Sequence, residues 1–295
     1  MVLVAEPARP PLRLATWHAG DGDRVRITPL YRSPLVSMGT FWCAPDDVRW
    51  SLENFVGEVA HIVFPTMPVW IGTEGHELGL AGPNHAVFFN PGDVFRRRRF
   101  HDHGDRNDFI VVGQDTLDEW LREARFPGLL GKLPPRPYLT VRAIARALAN
   151  GGDGLPVEEA LLRLGHATVT GAFRSEQWAP RRRRRPPPLV EDAKAVLCAR
   201  FSEHLTLEEL GRAVNVSPFH LARSFRRHTG FTLHEYRVNL RLKAALERLA
   251  AGDEDVAVIA RAIGFSSHSH LTATFHRAFG IPPSCVRKRS LPPYA

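Results

Sequence analysis

One apolar pattern occurs twice in the last third of the chain, and this repeat constrains the fold more than any other feature of the sequence. The first four positions of the two copies are offset by 49 residues, and the last three are offset by 50. The copies therefore differ by one residue, inserted in the middle of the unit. The first copy consists of Leu207, Leu210, Ala213, Val216, Leu221, Phe225 and Gly230, and the second of Val256, Ile259, Ala262, Phe265, Leu271, Phe275 and Gly280.

Apolar residues recur every three or four positions within each copy, which predicts two short helices that each bury one stripe. Ser217 and Pro218 predict a helix start, because a hydroxyl caps free amides and proline fits where no N–H is needed. Gly230 and Gly280 predict helix ends. A helix, a tight turn and a second helix form a DNA-reading motif. A plain helical bundle is the alternative for one such unit, and duplication in register disfavours it.

Two further motifs lie at fixed places around the repeat. The first is in the segment between the copies and the second is inside the second copy; they comprise Arg241, Leu242, Ala245 and Leu249, then Ile259, Ala260, Gly264 and Phe265. With these motifs, residues 205–249 and 256–288 resemble the AraC/XylS family of transcription regulators. The resemblance implies two helix-turn-helix units joined by a long helix, here at residues 233–250, that bind double-stranded DNA at promoter half-sites.

The charge distribution agrees with a polyanionic partner. From Arg181 to the end the chain carries 20 Lys and Arg against 10 Asp and Glu, whereas the remaining residues carry 19 against 21. The basic excess therefore lies with the repeat, and duplex DNA would gain from it through counterion release. The run from Arg181 to Arg185 and the prolines that follow predict a stiff, extended linker at residues 179–188.

We place the first recognition helix at residues 217–228. With Leu221 and Phe225 inward, a rotation of about 100° per residue brings five side chains to the outer face: Phe219, Ala222, Arg223, Arg226 and Arg227. Arg223 is the best candidate for reading a base, because a guanidinium can donate two hydrogen bonds to one guanine. Arg226 and Arg227 are expected to contact phosphates. A phosphate contact is also the alternative role for Arg223.

The second recognition helix, at residues 267–278, departs from the first. Ala273 stands where Arg223 stands in the first copy, so the long donor is missing from this half. The remaining outward residues are His268, Ser269, Thr272 and His276, flanked by His270 and Arg277. Short side chains of this kind read bases through water or through contacts to thymine methyl groups, or they contact only the DNA backbone. We therefore expect weaker base discrimination by this helix.

Short apolar strings separated by Pro, Gly, Asn and Asp turns characterise the region from Leu12 to Val112, and they predict a small β-barrel or jelly roll. In relatives with this architecture the amino-terminal domain resembles a cupin barrel that binds an effector. The expected fold class is α+β: a cupin-like barrel with following helices, then an all-α double helix-turn-helix domain. The weak effector-binding candidates are Trp42, Trp70, Arg97 and Arg99.

Histidines and arginines in this region raise two alternatives. His101, His103 and Asp105 offer ligands for a divalent metal, with His61, His76 and His85 elsewhere, but the cupin metal pattern is not matched, and a solvated loop is the competing interpretation. The run Arg96 to Arg99 lies on a predicted strand, so alternate side chains face opposite sides. One pair then holds an anionic effector or forms salt bridges with Asp93, Asp102 or Asp105.

Helical spacing characterises residues 116–178, where Leu117, Trp120, Leu121 and Ala124 form one stripe. Such a stripe either pairs two protomers or closes the barrel on itself. The predicted domains are thus a sensor barrel at 1–115, a helical packing or dimerisation region at 116–178, the linker at 179–188 and a DNA-binding domain at 189–295.

The remaining features narrow the function class. We expect a cytoplasmic protein, because the sequence offers no signal segment or membrane-spanning run, and Cys43, Cys198 and Cys285 imply no disulfide framework. No cofactor or enzymatic motif is expected. The resulting hypothesis is a DNA-binding regulator that senses a small molecule, with a homodimer and RNA polymerase as further candidate partners. The alternatives are a cupin-type metalloenzyme with a nucleic-acid-binding tail and a constitutive DNA binder without effector.

Overall fold

A computed structural model of the chain describes residues 24–74, 78–121, 123–152, 155–173, 187–252 and 254–287. His76 is not among these residues, and neither is the predicted linker run from Arg181 to Arg185. The strands are β1 Val25–Arg32, β2 Val36–Cys43, β3 Asn54–Phe55, β4 Ala60–Pro65, β5 Val69–Thr73, β6 Gly79–Ala81, β7 His85–Phe89, β8 Val94–Arg99, β9 Asp105–Val112 and β10 Leu130–Lys132. The helices are α1 Gln114–Trp120, α2 Pro135–Ala149, α3 Leu155–Phe173, α4 Pro188–Ala199, α5 Leu207–Ala213, α6 Pro218–Thr229, α7 Leu233–Ala251, α8 Val256–Ala262, α9 His268–Phe279 and α10 Pro283–Arg287.

The strands form two antiparallel sheets that face each other. The larger sheet has the order β1-β2-β9-β4-β7-β10, and the smaller has the order β3-β8-β5-β6. Side chains from both sheets share one apolar cluster, in which Val87 and Phe89 of β7 meet Ile71 of β5 and Phe95 of β8. The α+β class is confirmed, and within the described residues the predicted barrel takes the form of two facing sheets without a closed ring of strands.

Helices α2 and α3 cover the outer face of the larger sheet. Met38, Ile62 and Ile110 point from this face into the same core as Val141 of α2 and Leu161 of α3. The apolar stripes of both helices are therefore buried within the chain. The other side of α2 faces the carboxyl-terminal half, because residues of α7 and α9 belong to this core as well.

The two helix-turn-helix units consist of α5 with α6 and α8 with α9. Helix α8 starts 49 residues after α5, and α9 starts 50 residues after α6, so the extra residue lies in the second turn, as predicted. The turns share one backbone feature: Asn215 and Gly264, at equivalent positions, both have left-handed φ angles, of 59° and 85°. A Cβ at residue 264 would collide with the carbonyl oxygen of Ser202, which explains the glycine there.

Helix α7 joins the units and matches the predicted connecting helix closely. It begins with a capping box, in which the Thr232 hydroxyl accepts from the Glu235 amide and the Glu235 carboxylate accepts from the Thr232 amide. Its 19 residues span about 28 Å at a rise of ~1.5 Å each. None of the described helices is both long enough and apolar enough to cross a bilayer.

Candidate nucleic-acid interface and sensor cavity

Helix α6 presents the first of two matched outer faces. The Ser217 hydroxyl caps its first turn by accepting from the His220 amide at 3.3 Å, and Gly230 ends the helix with a φ of 70°. Leu221 and Phe225 are fully buried beneath it. The predicted reading residues lie on the opposite side: Phe219 is 77% exposed, Arg223, Arg226 and Arg227 are exposed, and Ala222 is half-buried.

Helix α9 repeats this face with different chemistry. Ser267 caps it by accepting from the His270 amide at 3.1 Å, and Leu271 and Phe275 are buried like their counterparts in α6. The exposed positions carry His268, Ser269, His270, Ala273, His276 and Arg277, with Thr272 half-buried. Two of the histidines have local partners, since His270 Nδ1 lies 3.0 Å from the Ser266 hydroxyl and His268 Nε2 lies 3.5 Å from that of Thr272.

One matched pair of cations was missed by reasoning from the sequence. Arg212 lies in the last turn of α5 and Arg261 in the last turn of α8, and both are exposed. Their offset of 49 residues is that of the first half of the repeat, which was the signal that could have identified them. The first helix of such a unit crosses the DNA backbone, so this position suits contacts to phosphate.

A cavity that opens to solvent lies between the two sheets; the space between its lining atoms, the open mouth included, is about 480 Å³. Its apolar wall includes four phenylalanines, Phe41, Phe89, Phe95 and Phe109, and its polar lining consists of His61, Arg97, Asp105 and Asn107. Side chains alternate between the two faces of each strand, which explains which residues line the cavity. On β4, His61 and Val63 point into the cavity, while Ile62 and Phe64 point to the helices.

Of the four effector-binding candidates from the sequence, only Arg97 lines this cavity. Trp42 is next to Phe41 on β2 and therefore points to the other side of the sheet, where it is partly exposed. Trp70 lies 5.1 Å from the Arg98 guanidinium and packs against the apolar cluster around α4. Arg99 is exposed beyond the cavity. The structure thus places Trp42, Trp70 and Arg99 outside the cavity.

Arg97 and Asp105 form a buried ion pair at the cavity wall. Arg97 is 4% exposed, its guanidinium lies 3.2 Å from the Asp105 carboxylate, and it also contacts Cys43 Sγ at 3.1 Å and the Trp50 ring at 4.5 Å. Burial raises the pKa of Asp105, and the nearby Arg97 charge acts in the opposite direction. The salt-bridge alternative for the arginine run therefore holds for Arg97.

His61 brings a neutral imidazole to the same cavity. Its Nδ1 lies 2.8 Å from the Val59 carbonyl oxygen, so Nδ1 carries the proton and donates, and Nε2 is left with its lone pair. Burial lowers the pKa of His61 from 6.5 to about 4. Within the described part of the chain, Nε2 is buried and has no hydrogen-bond partner.

The residues proposed from the sequence as metal ligands do not converge. The rings of His101 and His103 lie 6.2 Å apart, and Asp105 turns inward to Arg97. His85 is far along the sheet, where its ring lies 5.9 Å from that of Tyr236. Among the residues that the structure describes, no three His, Cys, Asp or Glu side chains are placed to hold one ion.

A buried lysine connects the amino-terminal half to the connecting helix α7. Lys243 of α7 is 1% exposed, and its ammonium donates to the carbonyl oxygens of Pro83 and Leu133 at 2.6 and 2.8 Å and to Asn84 Oδ1 at 3.1 Å. Asn84 Nδ2 in turn donates to the Tyr236 carbonyl at 2.8 Å. Burial lowers the pKa of Lys243 well below its ordinary value.

Arg142 forms a second bridge between the halves. From α2 its guanidinium donates to Asp108 of β9 at 2.6 Å and to both carboxylate oxygens of Glu247 on α7 at 2.8 Å. The Tyr138 hydroxyl adds a 3.0 Å hydrogen bond to Glu247. Since Asp108 is 1% exposed, its charge is compensated inside the protein by Arg142.

The segment from β10 to α2 also reaches the carboxyl ends of both recognition helices. Lys132 Nζ donates to the Gly230 carbonyl at 2.8 Å, at the end of α6. The Arg136 guanidinium lies beside Gly280, at the end of α9. Both positions suit a cation, because a helix carries partial negative charge at its carboxyl end.

Comparison with known proteins identifies one matching family and several relatives. The family described as helix-turn-helix domain matches residues 210–289. The regulatory protein PocR of Salmonella typhimurium is 25% identical to this chain, and the match covers 62% of this chain and 60% of PocR. The crystal structure of ToxT from Vibrio cholerae O395 aligns with 87% of this chain and 98% of its own, at 9% identity and a TM-score of 0.35.

The multiple antibiotic resistance protein MarA of Escherichia coli is 30% identical over 30% of this chain, and the match covers 68% of MarA. The match to MarA extends over 87 residues. The chain therefore belongs to the AraC/XylS family of transcription regulators.

Proposed function

We propose that this chain regulates transcription by binding duplex DNA at specific sites through α6 and α9, in response to a small molecule held between the two sheets. The observation that carries the proposal is the duplicated outer face, which lies opposite two matched pairs of buried residues and has cations on the exposed side. In this proposal residues 189–295 form the DNA-binding domain, and residues 1–115 with the helices at 116–178 form the sensor.

The α6 face supplies the sharper recognition. Arg223 contacts a base edge, Arg226 and Arg227 contact phosphates, and Phe219 offers an apolar ring to a thymine methyl group. The α9 face, with His268, Ser269, His270, Thr272, His276 and Arg277, adds backbone and water-mediated contacts. Arg212 and Arg261 extend the phosphate contacts on both sides.

Contacts between the halves give the effector a route to the DNA-binding helices. A ligand changes DNA affinity only if it binds one arrangement of the protein better than another. Lys243 and Arg142 tie α7 to the sheet and to α2, and Lys132 reaches the end of α6. A shift of the larger sheet is therefore transmitted to the helix that carries both units.

The proposal is tested by footprinting purified full-length protein on genomic DNA with and without candidate metabolites. We expect protected sites whose occupancy changes with one of the metabolites. Lys243→Met, which leaves the cavity lining intact, should weaken that change while DNA is still bound. Binding without any effect of metabolites would favour a constitutive DNA binder.

A second copy of this chain and RNA polymerase complete the proposed partners. Three apolar side chains near the smaller sheet, Val48, Leu52 and Phe55, are more than half exposed, which favours self-association. Sedimentation of the full-length protein tests the homodimer, and transcription from a footprinted promoter with purified polymerase tests the second partner.

A further inference from the structure

The cavity between the sheets is lined mainly by apolar and aromatic side chains. The residues that line it are mostly apolar, with a few polar groups among them, which is the composition typical of small-molecule sites. Phe89 and Phe95 meet at a ring separation of 4.7 Å, and Phe41 and Phe109 line the sheet opposite β8. Aromatic ligands gain from such walls through edge-to-face and offset contacts with the phenylalanine rings.

The polar lining of the cavity favours a ligand that donates a hydrogen bond. His61 Nε2 and Asp105 Oδ1 are both buried acceptors, and neither has a hydrogen-bond partner in the described residues. A buried acceptor left unpaired is costly, so a hydroxyl or N–H group that reaches it gains affinity. An ether oxygen or a carbonyl group offers no proton to either atom.

The charges at the cavity disfavour an anion. Arg97 already neutralises Asp105 at 3.2 Å, and burial keeps His61 neutral near pH 7. A carboxylate entering the cavity would have to compete with Asp105 for Arg97, and one of the two anions would then be buried without a counter-ion. Among the described residues, Cys43 and the buried Asp47 also lie near this wall; burial raises the pKa of Cys43, and the Asp47 charge acts in the same direction.

We propose that the cavity binds an uncharged aromatic molecule that carries a hydroxyl or N–H group, with His61 Nε2 accepting the hydrogen bond. This inference rests on the proposed sensor function and names the class of its effector. Arg97 and Asp105 form the neutral polar wall beside the donor group.

Three matched probes test the proposal on the full-length protein by titration calorimetry near neutral pH. 2-Naphthol has the ring and the donor, 2-methoxynaphthalene has the ring without the donor, and 2-naphthoate has the ring with an anion. We expect 2-naphthol to bind at least about tenfold more tightly than either of the others, the size expected for one buried hydrogen bond. Equal affinity for the first two, or tighter binding of 2-naphthoate, would overturn the proposal.

Two substitutions at one position locate the contact. His61→Phe keeps a ring of similar size but removes the acceptor, so the preference for 2-naphthol over 2-methoxynaphthalene should disappear. His61→Gln keeps an acceptor and should retain part of the preference. If 2-naphthol binds His61→Phe as it binds the wild type, His61 is not the acceptor and the inference fails.

Failure of this inference and failure of the proposed function give different results. If 2-naphthol does not bind while footprints still respond to metabolites of another class, the regulator survives and the assigned ligand class is wrong. If the protein shows no preferred DNA site while 2-naphthol binds with the expected selectivity, the cavity assignment stands and the regulator function fails.

Discussion

Arg223 and Ala273 occupy equivalent positions, 50 residues apart, on the exposed faces of two helices that share two matched buried positions. Leu221 corresponds to Leu271 and Phe225 to Phe275, and all four side chains are fully buried. The scaffold of the two units is therefore conserved within the chain while the chemistry of the outer face is not. The two halves of a DNA site should accordingly be read with unequal stringency.

Arg223→Ala should weaken binding to the preferred site by about 1 to 3 kcal/mol and relax the preference at one base pair, because a bidentate contact to a base edge is lost. Competition binding with all four bases at each position measures both effects. Arg227→Ala is the matched control, for which we expect a similar loss on every sequence. An equal loss on random DNA for Arg223→Ala would identify it as a phosphate contact.

Ala273→Arg should tighten binding or create a new base preference in the second half of the site. The position is exposed and matches Arg223, so the added guanidinium reaches the groove without repacking the core. The same competition assay detects the new preference. An unchanged affinity and an unchanged sequence profile would show that α9 does not present this face to DNA.

Arg142→Met should lower the free energy of unfolding by about 3 to 5 kcal/mol, because Asp108 would remain buried without its counter-ion. Arg163→Met is the matched control: it removes a pair with Glu159 in which both side chains are exposed, and it should cost at most about 1 kcal/mol. Denaturant unfolding measures both. Similar small losses would mean that the Arg142 bridge does not hold the two halves together.

The buried His61 should make stability depend on pH between about 6.5 and about 4. Its pKa is lowered to about 4 in the folded protein, so in this range only the unfolded chain takes up the proton. Its contribution is complete above pH 6.5 and decreases as the pH falls towards 4, by about 3 kcal/mol in total.

Free energies of unfolding of the wild type and of His61→Gln, measured across this pH range, check the contribution of His61. The variant should lose less stability on acidification than the wild type. His204→Gln, at an exposed position, is the control and should follow the wild type. Parallel curves for all three proteins would refute the assignment.

Local pattern determined most of what could be predicted for the carboxyl-terminal half. The helix starts at Ser217, the ends at Gly230 and Gly280, and the extra residue in the second turn all depend on neighbours within a few positions. The outward set on α6 follows from the same periodicity. These features were therefore predictable to within a residue or two.

Contacts between distant segments could not be predicted in the same way. Arg97 and Arg99 are two residues apart on β8 and therefore lie on the same side of the strand, yet only Arg97 forms an ion pair with Asp105. The position of β9 across the cavity decides which arginine is paired. Lys243 has the sequence context of an exposed helical lysine, and its acceptors come from residues more than 100 positions away. No local signal marks either contact.

Selection of full-length protein on a library of random duplexes tests the central claim most directly. We predict enrichment of a site with two recognised segments about one helical turn, ~34 Å, apart on one side of the duplex. The segment contacted by α6 should be the more stringent, and Arg223→Ala should relax it. No enrichment over competitor DNA at moderate salt, or a single segment indifferent to Arg223→Ala, would contradict the account.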